Sequence, residues 1–378
     1  MLPNQNMTLR LATFNVENMF ERPAVMNLPS WDDGKSVLED YSRLLELIQK
    51  QEYKEKDKEE MLTIMKRHKK LITKKKSDYL ILNEINGRLL KTKNKIPQIV
   101  ANGRNDWIGW FVLRRESIND AAIENTARVI NEVNADVMGL VEVENRIVLT
   151  KFNDAVISSI GGKKYDHLML IDGNDDRGID VGIITRKPYE IDSIVSHIDD
   201  TDKTGIIFSR DCAEYRIKIS PDKMLLVMVN HFKSKGFGSQ KSSNKKRERQ
   251  AKQVAKIYKE RLDQGFEHIA ILGDLNDTPK SDPLLSLLGN NSDLIDVMDL
   301  DKFESDGRVG THGNGTKSGK LDYILLSPEL VKIVEKAGIE RRGVWGGKNG
   351  DLFPHFPEIK MEMDAASDHA SLWVDLDL

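Results

Sequence analysis

The sequence contains a single cysteine, Cys212, among its 378 residues, which excludes a disulfide bond within the chain. It also lacks a run of about 18 apolar residues, the minimum for a membrane-spanning helix. Neither G-x-S-x-G nor G-x-x-x-x-G-K-[ST] occurs, which excludes the serine elbow of α/β-hydrolases and the P-loop of NTPases. These absences favour a protein of a reducing compartment that does not bind membranes.

The sequence also has little excess charge of either sign, because 57 basic and 60 acidic residues leave a net charge of −3. The total charge therefore does not predict polyanion binding, although local basic patches could still attract phosphate. The N-terminus shows no basic segment followed by a long apolar one, as a secretory signal would. We expect a soluble cytoplasmic protein.

The apolar pattern predicts strands that alternate with helices, and several strands follow one another directly. This arrangement favours an α+β fold with mixed sheets. Residues 23–115 interrupt the alternation with a mostly helical pattern, which predicts an insertion or small subdomain. Within it, the spacing of Tyr79, Leu82, Ile85 and Leu89 predicts a helix.

The stretch from Ile269 to Pro279 reads IAILGDLNDTP, an apolar strand that ends in a polar turn. Asp274 and Asn276 stand where a rigid scaffold would hold catalytic groups. Asp and Asn are also ordinary turn residues, and for Asp277 we expect no more than a turn.

The same pattern recurs at other predicted strands. Five strands end in acidic, amide or imidazole side chains, and a sixth begins with one. Since ligand sites form where strand ends converge, we expect these side chains to share one site. The residues are Asn15, Glu142, His231, Asp274 with Asn276, Asp322, and Asp368 with His369.

These residue types indicate a chemistry. Carboxylate and amide oxygens are hard ligands that suit Mg²⁺ or Mn²⁺, and the absence of cysteine from the set argues against structural zinc. A divalent cation, a water held by an aspartate, and imidazoles facing an oxyanion together favour phosphoester hydrolysis.

Seven short segments resemble the conserved motifs of the endonuclease/exonuclease/phosphatase superfamily and occur in the same order along the chain. The resemblance implies a four-layer α/β/β/α sandwich of two packed mixed β-sheets. It also implies a single domain over residues 1–378, with 23–115 as a helical insertion within it. The segments are TFNVEN, DVMGLVEVEN, RGIDVGII, VNHFKSKG, ILGDLNDTP, GKLDYILLS and SDHASL.

The resemblance further implies a metal site and a water-activating group. Glu142 would be the main ligand of Mg²⁺ or Mn²⁺, with Asn15 and Asp368 beside it. Asp274 would orient or deprotonate the attacking water, and Asn276 would hold a phosphate oxygen. Val141 stands where the family often has Gln.

Two histidines receive roles by the same resemblance. His231 would serve the transition state or the leaving group. His369 would contact the scissile phosphate, with Asp322 fixing its tautomer through a hydrogen bond.

Several neighbouring residues remain open between function and structure. Arg177 could contact phosphate, with Asp180 positioning it, or lie in a plain turn. Glu144 should point to the same sheet face as Glu142. His312, in a glycine-rich loop, is expected to be structural or peripheral.

The substrate is predicted to be nucleic acid, DNA before RNA. Lys233 begins a basic segment, 233–252, directly after His231, and such segments attract phosphate. The alternative is a phosphatase or phosphodiesterase that acts on small-molecule or lipid phosphoesters. A scaffold protein without turnover is disfavoured because the site residues are intact. The sequence leaves protein partners open.

Overall fold

The computed structural model describes residues 8–28, 31–175, 177–235 and 240–378. These fall into two compact units. The larger unit comprises Met1–Phe20, Ile118–Lys235 and Lys241–Leu378, as far as these residues are described. The smaller unit comprises Glu21–Ser117 and Gly236–Gln240, within the same limit.

A seven-stranded sheet forms one half of the larger unit. It is mixed, because Thr8–Asn15 pairs parallel with one neighbour and antiparallel with the other. Its strands, in spatial order, are Phe303–Glu304, Val334–Glu340, Ser371–Asp377, Thr8–Asn15, Val137–Val143, Asp180–Thr185 and His167–Leu170.

A six-stranded sheet forms the other half. It is also mixed, since Ile269–Asp274 lies parallel to the preceding strand in space and antiparallel to the following one. In spatial order its strands are Glu190–Val195, Cys212–Ser220, Lys223–His231, Ile269–Asp274, Asp322–Leu326 and Ile295–Asp296. The pair Thr201–Asp202 and Gly205–Ile206 lies outside both sheets.

The two sheets pack face to face around a shared apolar core. Alternate residues of facing strands, such as Val141 and Val229, are fully buried in one cluster. The sheets approach closely at Gly139, because a Cβ atom there would lie 2.2 Å from the Leu272 side chain. Burial of each such aliphatic side chain contributes roughly 1.5–3 kcal/mol to the stability of the fold. Because the two sheets pack together, the ends of their strands lie in the same unit.

Helices cover the outer faces of both sheets. Asp120–Val133 packs on the seven-stranded sheet, and the Asn119 side chain caps it by accepting from the Ala121 amide at 3.0 Å. Gln240–Asp263 packs on the six-stranded sheet through residues such as Val254. The order helix, sheet, sheet, helix confirms the predicted sandwich.

Shorter helical segments complete the larger unit. They are Arg146–Lys151, the π-helix Phe152–Ile157, Leu285–Leu288, Pro328–Lys332, and four 3₁₀ turns at Asp282–Leu284, Val297–Asp299, Lys317–Gly319 and Glu362–Asp364. None of the described helices has the length and apolar character needed to cross a bilayer.

The smaller unit combines helices with two-stranded sheets around its own core. Its helices are Trp31–Ile48, Glu55–Arg67 and Leu71–Lys74, with 3₁₀ turns at Ala24–Asn27 and Arg104–Asp106. Its strand pairs are Glu21–Pro23 with Arg115–Ser117, Leu80–Asn86 with Ile108–Leu113, and Leu90–Lys93 with Ile96–Ile99.

The predicted helix over Tyr79 to Leu89 is wrong. The chain there forms the strand Leu80–Asn86. Leu80 and Leu82 are buried while Ile85 is 68% exposed, so the two-residue period decides the structure rather than the helical spacing.

A buried ion pair ties the turn after Ile269–Asp274 to the covering helix. Arg247 is fully buried and its Nε donates to Asp277 Oδ2 at 3.0 Å. Its Nη1 donates to the Lys233 carbonyl at 2.8 Å. Asp277 is therefore more than the turn residue expected from the sequence, because it balances a charge inside the protein.

We predict that Asp277→Ala lowers the free energy of unfolding by about 3–5 kcal/mol, since it leaves the buried Arg247 guanidinium without its counter-charge. Urea denaturation measures the change. Lys235→Ala is the matched control, because Lys235 contacts the same carboxylate at 2.8 Å from a side chain that is 44% exposed. It should cost less than about 1 kcal/mol. Equal losses in the two variants would contradict this account.

Candidate active site

The predicted strand ends converge in the larger unit. His231 lies beside Asp274 in the parallel pairing of their strands, and Asp274 lies opposite Asp322 in the antiparallel pairing. Three neighbouring strands of the six-stranded sheet thus place an imidazole and two carboxylates side by side. Asn15 comes from the facing sheet, and its Nδ2 donates to Asp274 Oδ2 at 3.3 Å.

Asp274 is buried at the centre of this group. The backbone N–H of Asn276 donates to its Oδ1 at 2.8 Å, and the Asn276 Nδ2 donates to its Oδ2 at 3.0 Å. Asn276 can close this turn because it adopts a left-handed backbone with φ +55°. Burial raises the pKa of Asp274 to about 7, despite the attraction of His369. A carboxylate with such a pKa suits proton transfer at neutral pH.

Asp322 and His369 form a hydrogen-bonded pair. The His369 Nδ1 lies 2.8 Å from Asp322 Oδ2, an oxygen that also accepts from the Thr311 hydroxyl at 2.5 Å. Because Asp322 accepts a hydrogen bond at this position, the Nδ1 of His369 carries a proton and its Nε2 points toward the site. That Nε2 lies 4.0 Å from Asp274 Oδ2 and 3.6 Å from Asp368 Oδ1.

His231 is fully buried between carboxylates and a guanidinium. Its Nε2 lies 3.6 Å from Glu142 Oε1 and 3.7 Å from Asp274 Oδ2. The Arg210 Nε lies 3.1 Å from its Nδ1, and the Arg210 Nη2 lies 2.7 Å from its Nε2. Burial and then the Arg210 charge lower the pKa of His231 well below its ordinary value. A neutral imidazole accepts a hydrogen bond at only one of its two nitrogens. Arg210 therefore donates to His231 through only one of these two contacts at a time.

Glu142 occupies a β-bulge. Asp180 lies opposite Val143 and Val181 lies opposite Val141, which leaves Glu142 as the extra residue in its strand. Its φ of +66° is in the left-handed region, where a non-glycine residue is strained. Bulges of this kind redirect a side chain, and here the Glu142 carboxylate turns toward the site.

The bulge separates two carboxylates that the sequence predicts on one face. Glu142 faces His231, whereas Glu144 is buried and accepts from the backbone N–H of Met19 at 3.0 Å and of Phe20 at 2.8 Å. The prediction that both point the same way is wrong, because the regular alternation of a strand ends at the extra residue. Glu144 thus holds the chain after the first strand.

Asn15, Glu142 and Asp368 remain the predicted metal ligands. The Glu142 side chain is only 15% exposed, and its Oε1 lies 3.6 Å from the His231 Nε2. The oxygens of Glu142, Asp368 and Asn15 are the donors that Mg²⁺ or Mn²⁺ prefers, so the chemistry of the donor set fits such an ion.

Arg210 and Asp175 are site residues that the sequence reading missed. Asp175 Oδ2 lies 3.2 Å from the Arg210 Nη1 and 3.0 Å from the Arg177 Nη2. Asp175 rather than Asp180 therefore positions Arg177, and Asp180 instead accepts from the Gly173 amide at 2.6 Å. Arg210 stands two residues before the buried strand Cys212–Ser220, in FSRDCAEY, and no motif marks it.

Lys233 adds a further cationic group at this end of the site. Burial lowers its pKa to about 7, and the charges of Arg210 and Arg177 act in the same direction. Arg177 and Lys233 thus lie near Arg210, and their phosphate contacts stay a prediction.

His312 borders the site instead of standing apart from it. Its Nε2 lies 3.0 Å from Asp368 Oδ2, and its ring meets that of His369 edge-on with centroids 4.7 Å apart. A loop contact thus brings the two histidines together, and the expectation of a structural or peripheral role for His312 stays a prediction.

The sequence profile of the endonuclease/exonuclease/phosphatase family matches residues 110–337, more than half of the chain. The protein belongs to this family. This confirms the resemblance seen in the seven segments, and it makes the chain a phosphoester hydrolase in the broad sense. No curated protein matches the chain.

Solved structures with a similar fold include other members of the family. A family protein from Bacteroides thetaiotaomicron shares 18% identity, covering 68% of this chain and 86% of that one, with a TM-score of 0.49. A mannosyl-6-phosphatase of the same organism shares 17%, covering 68% and 91%, with a TM-score of 0.48. The human Nocturnin catalytic domain, with bound sulfate, shares 17%, covering 69% and 87%, with a TM-score of 0.46.

The raised pKa of Asp274 predicts a pH-dependent stability in metal-free protein. The folded state favours protonated Asp274, so this contribution is complete below the unfolded pKa near 3.8 and is lost as pH rises through about 7. Asp274→Asn stays neutral throughout. In EDTA, it should therefore be more stable than wild type at pH 8, by on the order of a few kcal/mol.

Urea denaturation at pH 5, 6, 7 and 8 measures the difference between the two proteins. The advantage of Asp274→Asn should shrink steadily toward pH 5. An advantage that is independent of pH would show that Asp274 is already ionised in the folded protein.

Proposed function

We propose that the protein is a divalent-metal-dependent phosphodiester hydrolase that acts as a nuclease, on DNA before RNA. The reaction is an in-line attack of an activated water on phosphorus. The observation that carries this proposal is the position of Asp274, a buried carboxylate with a pKa of about 7 that lies 4.0 Å from one imidazole and 3.7 Å from another.

Glu142, Asn15 and Asp368 would hold Mg²⁺ or Mn²⁺ in this proposal. The ion supplies Lewis-acid stabilisation of negative charge on the phosphate oxygens. The strained bulge at Glu142 and the fixed turn at Asn276 support the assignment, since strain of this kind persists mostly where function requires it.

Asp274 accepts the proton of the attacking water. Its two oxygens already accept from Asn276 and Asn15, which fixes the carboxylate plane. The Asn276 Nδ2, now shared between Asp274 and the Phe232 carbonyl at 3.2 Å, can donate to a phosphate oxygen once substrate enters. A base held in one orientation loses little entropy on reaction.

The two histidines differ in protonation state. His369 is held protonated by Asp322 and Asp368, which outweigh its burial and raise its pKa well above the ordinary value, so it can stabilise the phosphate oxyanion. His231 is held neutral by burial and Arg210, and it can donate one hydrogen bond from its protonated nitrogen.

Exposed lysines on Gln240–Asp263 favour a polyanionic substrate. Lys241 and Lys245 are exposed and lie one turn apart, so both face the same side of the helix. Other parts of the predicted basic segment are used internally, since Arg247 binds Asp277 and Arg249 binds Asp202. The phosphate-attracting surface is thus narrower than the sequence suggests.

A phosphatase or phosphodiesterase for small-molecule or lipid phosphoesters is the second candidate. The cationic group of Arg177, Arg210 and Lys233 favours it, because three cations near His231 could grip a terminal phosphate. Such a cluster suits a phosphate at the end of a chain or on a small molecule.

One substrate panel separates the candidates. It contains single- and double-stranded DNA, abasic DNA, RNA, inositol phosphates, sugar phosphates and sphingomyelin, each with Mg²⁺, Mn²⁺ or EDTA. We expect cleavage of DNA with Mg²⁺ or Mn²⁺ and none in EDTA. Hydrolysis of only the non-nucleic substrates would refute the nuclease and favour the second candidate.

Site variants assign the observed activity to this protein. Asp274→Asn and His369→Ala should each lower kcat at least about 1,000-fold, because they remove a proton acceptor and an oxyanion contact. His268→Gln, a histidine away from the site, should retain full activity. Near wild-type turnover in either site variant would refute the assigned roles.

A further inference from the structure

Three side chains at the edge of the site offer a set of ligand atoms different from the oxygen set assigned to Mg²⁺. One atom from each of His312, Asp368 and His369 lies within 4.8 Å of the other two. The His312 Nε2 lies 3.0 Å from Asp368 Oδ2, and the His369 Nε2 lies 3.6 Å from Asp368 Oδ1. Both imidazole nitrogens thus face one carboxylate, as in a two-histidine, one-carboxylate metal site.

The ring of His369 already has the orientation that a metal ligand needs. Its Nδ1 is engaged by Asp322, so only Nε2 is available on the side of Asp368. A carboxylate behind a histidine ligand fixes the tautomer and raises the basicity of the opposite nitrogen. Asp322 itself is a poor direct ligand, because its Oδ2 already accepts from His369 and Thr311.

The backbone holds the three residues in register. His312 and His369 form an isolated β-bridge, and the Ala370 amide donates to the Thr311 carbonyl at 2.8 Å. The Gly313 amide donates to the Asp368 carbonyl at 2.7 Å. Ligands held in this way need little rearrangement to bind an ion.

We propose that His312, Asp368 and His369 bind a borderline transition-metal ion such as Zn²⁺, and that this ion inhibits the hydrolase. Imidazole nitrogens favour Zn²⁺ over Mg²⁺. The inhibition rests on the proposed function. The bound ion would occupy Asp368, which is a proposed Mg²⁺ ligand, and His369, which is proposed to contact the phosphate. The binding site itself does not depend on that function.

Calorimetric titration of ZnCl₂ into the untagged full-length chain, with Mg²⁺ present in excess, tests the site. Wild type should bind one Zn²⁺ per chain at these residues. His312→Gln should weaken this binding about 100-fold, whereas His268→Gln, which alters a histidine outside the cluster, should match wild type. Equal affinity in wild type and His312→Gln, or no stoichiometric binding by wild type, would overturn the proposal.

A measurement on wild type alone guards against a variant that fails to fold. Co²⁺ in place of Zn²⁺ should give paramagnetically shifted NMR resonances from the ring protons of two histidines. Shifted signals from fewer than two histidine rings would overturn the site.

The inhibition is tested on whichever substrate the panel identifies. At constant Mg²⁺, Zn²⁺ should inhibit wild type and His268→Gln alike, and His312→Gln should need about 100-fold more Zn²⁺. Zinc that binds at the site without slowing hydrolysis would contradict the inhibitory role. If no phosphoester is hydrolysed, the proposed function fails, while the titration still decides whether the metal site exists.

Discussion

The site depends on the cost of burying several ionisable groups close together. Asp274, Asp322, His231 and His369 are almost without solvent contact, so each charge must be offset by a partner or removed by protonation. The protein uses both solutions. Asp322 pairs with a protonated imidazole, whereas Asp274 shifts its pKa to about 7 and His231 becomes neutral beside Arg210. Different protonation states of similar groups follow from different surroundings.

The two-sheet sandwich supplies the rigidity that such an arrangement requires. Central strands of both sheets are buried on both faces and end at the same site. Two local departures from regular structure lie at the proposed site. Glu142 in a bulge and Asn276 in a left-handed turn both place side chains that regular strands would direct elsewhere.

The sequence predicted the parts of the site that depend on strand order and apolar patterning. Polar residues directly after apolar strands, such as Asn15, His231 and Asp274, could be assigned to one edge because paired strands bring their ends together. The four-layer architecture followed from the family resemblance and is confirmed by the packing of both sheets.

Other features depend on geometry that no residue pattern encodes. The bulge at Glu142 changes which way a carboxylate points, and the contact of His312 with Asp368 is made by a loop. Arg210 lies outside every recognised segment, and its role appears only once its guanidinium is seen against His231. The helical spacing of Tyr79, Leu82, Ile85 and Leu89 was misleading, because Leu80–Asn86 is a strand paired with Ile108–Leu113.

The central claim is that Glu142 and Asp368 hold a divalent cation beside Asp274. Anomalous diffraction from crystals soaked in Mn²⁺ tests it most directly, since Mn²⁺ has the same oxygen preference as Mg²⁺ and a measurable anomalous signal. The account predicts a peak bonded to the carboxylates of Glu142 and Asp368. A Mn²⁺ peak that touches neither carboxylate would contradict it.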